Sequence, residues 1–233
     1  MGGFPVWGSL LIADFSRVDM KSADKRSSTM TSGNSAASIL FETGRLLFRN
    51  FHHSDRDSVH RYASDLVVTR MTYWGPYTLR DTDAFIRRAI RNAEETPRSF
   101  FDLAIVSREG EEDPEKFRLI GGCKIHITDH ANREGEIGYY LERESWKKGL
   151  ATESAQALLS FGFTRLGLHR MTGLCFTENR GSARVLEKID MTLEGVLRKH
   201  RLKEGQWVDS FLYSILDSEW QALREKGTGV IPE

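Results

Sequence analysis

A chain of 233 residues and 26.6 kDa can build one well-filled core, or one core with a decorated edge. Its 39% apolar and 28% charged content is that of a globular domain, not of a disordered or fibrous chain. Lys and Arg number 33 and so do Asp and Glu, and zero net charge removes any general attraction to nucleic acid or an anionic membrane.

The opening MGGFPVWGSLLIADF lacks a basic leading region, and Asp14 interrupts its short apolar run, so it does not read as a targeting segment. No later stretch approaches the roughly 20 apolar residues that span a bilayer. Residues 16–38 are rich in Ser, Thr, Gly and charge, and ordering them would cost entropy without an apolar return. Residues 1–38 therefore read as a leader, flexible or weakly anchored through apolar residues such as Phe4, Trp7 and Leu11; a short helix packed on the domain or a partner is the alternative.

Folded character begins at Ile39–Phe51, where Leu46, Phe48 and neighbouring arginines suggest an edge strand. Asp55–Tyr62 reads as a short helix and Leu79–Asn92 as a longer one, with Phe85, Ile86, Ala89 and Ile90 at helical spacing. Between them MTYWGPY is a turn-rich aromatic loop, and Tyr73, Trp74 and Tyr77 either cap a domain end or wall an acceptor pocket. Strand-like runs follow at Ser99–Val106, Phe117–Ile127 and Glu134–Leu141. A helix is expected from Gly149 or Leu150 to about Arg165, a strand over His169–Phe176, and a helix over Asn179–Lys188 capped by Asn179. Met191–His200 and Gln206–Leu216 close the order as two strands joined at Lys203, Glu204 and Gly205. This order predicts a single-domain mixed α/β fold over 39–220, a twisted, mostly antiparallel sheet with helices on both faces, and a tail over 221–233.

Cys123 and Cys175 lie in strand-like runs and are expected as free buried thiols, which suits a reducing, cytosolic compartment. His52, His53 and His60 have no Cys or acidic cluster at metal-binding spacing, so no metal is expected. A serine hydrolase is disfavoured because no Gly-x-Ser-x-Gly elbow occurs, and Cys175 with His169 would need special geometry.

The most informative string is EIGYYLERESWKKGLATESAQALLSFGF. A strand, a Gly-containing turn and a helix with small residues at its mouth present successive amide donors to an anion, and the helix dipole adds to them. Gly149 permits close backbone approach, Ala151 keeps the entry narrow, and Lys147 and Lys148 can neutralise phosphate, although lysines before a helix are commonly just solvated.

Here the chain resembles the GCN5-related N-acetyltransferases, in the branch of ribosomal-protein alanine acetyltransferases and their relatives. The superfamily's coenzyme A pyrophosphate motif corresponds to Trp146, Lys147, Lys148, Gly149, Leu150 and Ala151, followed by Thr152 and Glu153. The resemblance spans about 42–220 through ETGRLLFRNF, LIGG, EIGYYL, GLHR, ENRGSARVLEK, LEGVLRKH, GQWVD and LYSIL, in common order and spacing. Two departures stand out: the branch usually has Gly at Lys147, and Gly at Asp190.

The resemblance implies acetyl transfer from acetyl-coenzyme A to a primary amine, by direct attack in a ternary complex without metal. It implies a sheet splayed between the fourth and fifth core strands, after Glu134–Leu141, where a main-chain amide around Tyr139, Tyr140 or Leu141 faces the thioester oxygen. Glu136 is the first candidate base, with His126 second; an exposed or ion-paired glutamate and a structural histidine are the competing readings. Asn179 would bind the pantetheine amides and Ser182 would protonate the thiolate, against a plain cap and a helix-turn hydroxyl. Tyr73, Trp74, Tyr77 and Asp209 are candidate acceptor contacts, Asp209 equally a structural one. The implied acceptor is a protein N-terminus or a small molecule such as a polyamine, an antibiotic or an amino-acid-like amine. A non-catalytic acyl-coenzyme A sensor is the rival class, and homodimerisation through the late strands is implied as well.

Overall fold

The computed structural model describes residues 39–226 apart from 112, 114 and 115, so the leader read over 1–38 lies outside the described part. Within it, eight strands form one sheet ordered β1-β2-β3-β4-β5-β6-β8-β7. The strands are β1 (Ile39–Glu42), β2 (Leu46–Asn50), β3 (Phe100–Ser107), β4 (Arg118–Asp129), β5 (Glu134–Leu141), β6 (Arg170–Phe176), β7 (Thr192–Lys203) and β8 (Gln206–Leu216). The helices are α1 (Arg56–Ala63), α2 (Leu66–Thr69), α3 (Leu79–Glu94), α4 (Leu150–Thr164), α5 (Arg180–Lys188) and α6 (Asp217–Glu225).

Side-chain alternation divides the apolar residues between two faces. Leu46 and Phe48 of β2 and Leu103 and Ile105 of β3 join Leu158 and Leu159 of α4 and Leu186 of α5 in one core. Leu47, Ala104 and Val106 look the other way, onto Val59 and Tyr62 of α1 and Phe85 and Ile86 of α3. The predicted fold class therefore stands, with helices on both faces.

Two sequence expectations need correction. Ile39–Phe51 is not one edge strand but a hairpin, β1 pairing antiparallel with β2 through Ile39↔Arg49 and Glu42↔Leu47. The consecutive apolar residues Leu46, Leu47 and Phe48 serve both faces, which hid the turn. The tail read from 221 is also wrong at its start, because α6 continues to Glu225. Its first turn is held by the Glu219 carboxylate, which accepts from the Leu216 amide at 2.9 Å, and Trp220 packs on Phe163 with ring centroids 5.3 Å apart.

The sheet is antiparallel except between β5 and β6, which α4 connects. Those two strands are in register only from Glu134↔Arg170 to Ile137↔Gly173. Beyond that point β5 continues against β4 as far as Leu141↔Gly121, while β6 continues against β8 as far as Phe176↔Ser210. The strands part over Gly138–Leu141 and Leu174–Phe176, so a cleft opens in the middle of the sheet. Because the first predicted strand is two strands, the splay expected between the fourth and fifth lies between β5 and β6.

Candidate active site

At the end of β5 the chain turns sharply into α4. Glu142 is 2% exposed, yet ion-paired with Arg118 at 2.7 Å and with Arg61 at 3.4 Å, and its carboxylate accepts from the Ser145 hydroxyl. The Trp146 indole N–H donates to the Leu141 carbonyl at 2.8 Å, bracing the turn against the strand end. Sequence reasoning missed Glu142; a lone acid between a strand and a turn carries no local sign that two arginines converge on it.

Lys147 adopts φ +60° and Gly149 φ +80°. The second suits glycine, and the first is the conformation that the branch's usual Gly would take at no cost. The helical ladder of α4 starts with the Glu153 amide donating to the Gly149 carbonyl. Among the described residues, no acceptor is found for the main-chain amides of Lys147, Lys148, Gly149, Leu150, Ala151 or Thr152. A Cβ added at Gly149 would meet only an Arg45 guanidinium nitrogen, at 3.4 Å. The cradle thus offers free donors, a helix N-terminus and an adjacent cation, which fits a diphosphate. The side chain of Leu150 is 1% exposed and belongs to the core, so only its amide can serve a ligand.

Arg45 and Glu153 fix this corner. The Arg45 guanidinium donates to the Glu153 carboxylate at 2.7 Å and to the Lys148 carbonyl at 3.0 Å, and Thr43 donates to Glu153 at 2.5 Å. The β1–β2 hairpin therefore clamps the mouth of α4. Replacing Lys147 by Gly should relieve the left-handed backbone and raise stability by about 1 kcal/mol, or about 2–4 °C in melting temperature. Asp190 likewise sits at φ +61° after α5, with the Met191 amide returning to the Leu186 carbonyl at 3.1 Å, so the helix terminates as a Gly would let it.

The cleft comes next. The Glu142 amide donates to the Ile120 carbonyl on the β4 side, so alternation turns the amides of Tyr139 and Leu141 towards β6 and the cleft, and that of Tyr140 away from it. Facing them, the Asn179 side chain accepts from the Ser182 amide at 3.1 Å, the predicted cap. The Ser182 hydroxyl lies 3.1 Å from the Tyr139 hydroxyl, whose pKa burial pushes well above the usual phenol range. The sequence offered no tyrosine in 177–190; this one arrives from β5, 43 residues earlier.

On the other face of β5, Glu136 accepts from the Lys124 ammonium at 2.7 Å, and Lys124 also donates to the Tyr73 hydroxyl at 2.9 Å. Burial works against the Lys124 charge, but Glu136 and Tyr73 outweigh it and raise its pKa. A cavity of about 390 Å³ opens beside them, walled by Tyr73, Trp74, Tyr77 and Tyr140 and carrying the polar side chains of Arg88 and Asp102. The aromatic loop thus supplies three of the rings that line this cavity. Tyr140 contributes its ring here, 5.1 Å from that of Trp74.

His126 is stacked on Phe100, with ring centroids 4.1 Å apart. Burial and then Lys124 hold its pKa below the ordinary 6.5, against the opposing pull of Glu136 and Asp102. The unfolded chain therefore takes up the proton first as pH falls. The stability that His126 contributes is complete above pH 6.5 and is lost as the pH falls through the folded-state value. His126→Asn should shrink the difference between urea midpoints measured at about pH 7.5 and about pH 5.

Asp209 does not join the cavity lining. Its carboxylate accepts from the Lys199 amide at 2.7 Å and its carbonyl from the Thr177 amide at 3.1 Å, a structural engagement of neighbouring strands. The thiols offer no covalent route, since burial raises Cys123 well above its ordinary value and Cys175 to about 11. His169 is 3.1 Å from Asp217.

Comparison with known proteins is consistent with this geometry. The family model for the acetyltransferase (GNAT) domain matches residues 45–192. An uncharacterized N-acetyltransferase of Bacillus subtilis (strain 168), YnaD, is 36% identical over 179 residues, covering 76% of this chain and 97% of that protein. The crystal structure of a GNAT-family acetyltransferase from Bacillus anthracis has 31% identity and a TM-score of 0.65, covering 76% of this chain and 98% of that one. Spermidine N(1)-acetyltransferase of Escherichia coli (strain K12) is 28% identical over 110 residues, 47% of this chain and 58% of that protein.

Proposed function

The chain belongs to the acetyltransferase (GNAT) family and is an acyl-coenzyme A-dependent N-acetyltransferase, and from that premise we propose that its acceptor is the α-amine of a protein N-terminus. The observation that carries this reading is the charge balance of the aromatic cavity. Arg88 and Lys124 line it against a single carboxylate, Asp102, and Lys124 is already satisfied by Glu136. With Lys124 paired to Glu136 and Arg88 set against Asp102, the wall has no surplus of carboxylates to pair the several ammonium groups of a polyamine. A peptide terminus brings one ammonium, with an apolar first side chain for the tyrosines and Trp74.

In this reading acetyl-coenzyme A is the second substrate. The amides of Lys147–Thr152 hold its diphosphate, the amides of Tyr139 and Leu141 face the thioester oxygen, and Asn179 borders the pantetheine arm. Ser182, with Tyr139 behind it, delivers the proton that the departing sulfur needs. Glu136 lends the negative charge that draws the incoming ammonium towards the cleft. Holding amine and thioester together supplies much of the acceleration, because the thioester is already activated.

A small-amine acceptor is the second reading, favoured by the partial likeness to the spermidine enzyme and by a cavity large enough for one small molecule. Coenzyme release with Ala- and Ser-started peptides, spermidine and an aminoglycoside separates the two. Peptide kcat/KM at least tenfold above that of spermidine is expected; the reverse ranking removes the N-terminal reading. Acetyl-coenzyme A binding with no release towards any amine would favour a sensor.

A further inference from the structure

The aromatic cavity takes one wall from α3, and the charges of that helix are unevenly spent. Asp81 accepts from the Thr78 amide at 2.9 Å, and Asp83 pairs with Arg56 at 2.7 Å. The arginines of α3 have no such use. Arg88 lines the cavity with its guanidinium carbon 5.5 Å from the centre of the Phe85 ring, and it makes no ion pair among the described residues. Burial raises the pKa of the Tyr77 phenol and the Arg88 charge opposes it, as expected of a guanidinium turned towards the rings. Asp102 lines the same cavity, but its carboxylate accepts from the Asn92 side-chain amide at 3.1 Å.

Three more arginines extend the pattern. Arg80, Arg87 and Arg91 are exposed, and none makes an ion pair among the described residues. At 3.6 residues per turn they fall within about 40° of one another around α3, and Arg88 stands on the flank of that stripe that reaches the cavity. On the Tyr73 side, Arg201 lies over the ring at 5.5 Å, also without an ion pair among the described residues. In a chain whose charges sum to zero, this is a local excess of cations at the cavity mouth. A planar guanidinium in a cavity wall, without an anion of its own, suits a carboxylate brought in by the ligand.

We propose that Arg88 is a specificity-determining residue that binds a carboxylate of the acceptor, and that the preferred acceptor is a polypeptide with an acidic side chain close behind its α-amine. The proposal deepens the N-terminal reading and rests on it. The ammonium is drawn towards Glu136, which Lys124 holds at 2.7 Å, and the first side chain meets the rings of Trp74 and Tyr77. The acidic side chain meets Arg88, where α3 forms the wall. Further acids along the chain run on to Arg87, Arg91 and Arg80. A free amino acid also carries a carboxylate, but it is too short to use that stripe, which favours the polypeptide.

The test uses the full chain with saturating acetyl-coenzyme A and peptides of equal length, amidated at the C-terminus, that start Ala-Asp, Ala-Asn or Ala-Lys. Alanine and alaninamide complete the panel. Wild type should favour Ala-Asp over Ala-Asn about tenfold in kcat/KM, almost wholly through KM, and the preference should shrink as salt is raised. Arg88→Gln should bring the ratio to about one, Arg88→Lys should keep part of it, and Arg88→Glu should reverse it in favour of Ala-Lys. Melting temperatures should not change, because the side chain is exposed.

A ratio near one in wild type, or the wild-type ratio surviving in Arg88→Gln, overturns the assignment and leaves N-terminal acetylation intact. Alanine acetylated faster than every peptide, and preferred over alaninamide only while Arg88 is present, overturns the polypeptide acceptor and the N-terminal reading while upholding the carboxylate contact. Displacement of acidic and neutral peptides alike by a short single-stranded RNA, with a ratio near one, assigns the arginines to nucleic acid and overturns the proposal.

Discussion

Gly149→Asp should raise the dissociation constant for acetyl-coenzyme A about 100-fold, while Gly149→Asn raises it no more than about fivefold. The two side chains have the same shape, tolerate the left-handed backbone about equally, and enter a space where only Arg45 lies within 4 Å. They differ in one charge. An aspartate at the mouth of α4 faces a doubly anionic diphosphate, and repulsion at about 5 Å with a dielectric between those of protein and water costs about 3 kcal/mol, equivalent to about two decades of affinity. Both side chains strain the left-handed backbone alike, and of the two variants Asp should be the more stable, because a carboxylate at a helix N-terminus is favourable. Weaker binding in a protein of equal or greater stability cannot be blamed on damage to the fold. Isothermal titration of both variants, with their melting curves, checks the pair; equal losses for Asp and Asn would remove the electrostatic explanation.

Gly121→Val should lower stability by about 3 kcal/mol and the melting temperature by about 6–12 °C. A Cβ there would lie 2.2 Å from the Tyr140 carbonyl oxygen and 3.0 Å from the Leu141 Cα. The obstacle is backbone, so no rotamer change can relieve it; β5 itself must move. That strand carries the amides facing the cleft, so turnover should fall at temperatures where the protein is still folded. Gly195→Ala is the control, since nothing lies within 4 Å of its added Cβ, and it should change stability by less than about 0.5 kcal/mol. Chemical denaturation and initial rates, measured on the same samples, separate the two effects.

Much of the scaffold was legible because periodicity and punctuation agree in it. β5 was bounded at Glu134–Leu141 by its alternation, α4 by Gly149 and its apolar stripe, and the start of α5 by Asn179. The turn into α4 was legible too, since it is local in sequence: a turn and a helix mouth within six residues. What stayed hidden depends on side chains meeting across the fold. Nothing near Ser182 announces Tyr139, nor does Glu136 announce Lys124, because strand pairing fixes both encounters. Asp209 looked like an acceptor contact for the same reason; only the register of β7 on β8 reveals that Lys199 takes its carboxylate.

The most direct test of the anion cradle is a crystal structure of the chain with acetyl-coenzyme A bound. The diphosphate should lie within hydrogen-bonding distance of main-chain amides between Lys147 and Thr152, with the pantetheine arm running into the cleft between β5 and β6 towards Ser182. A diphosphate held by side chains elsewhere, with those amides facing solvent, would contradict the account.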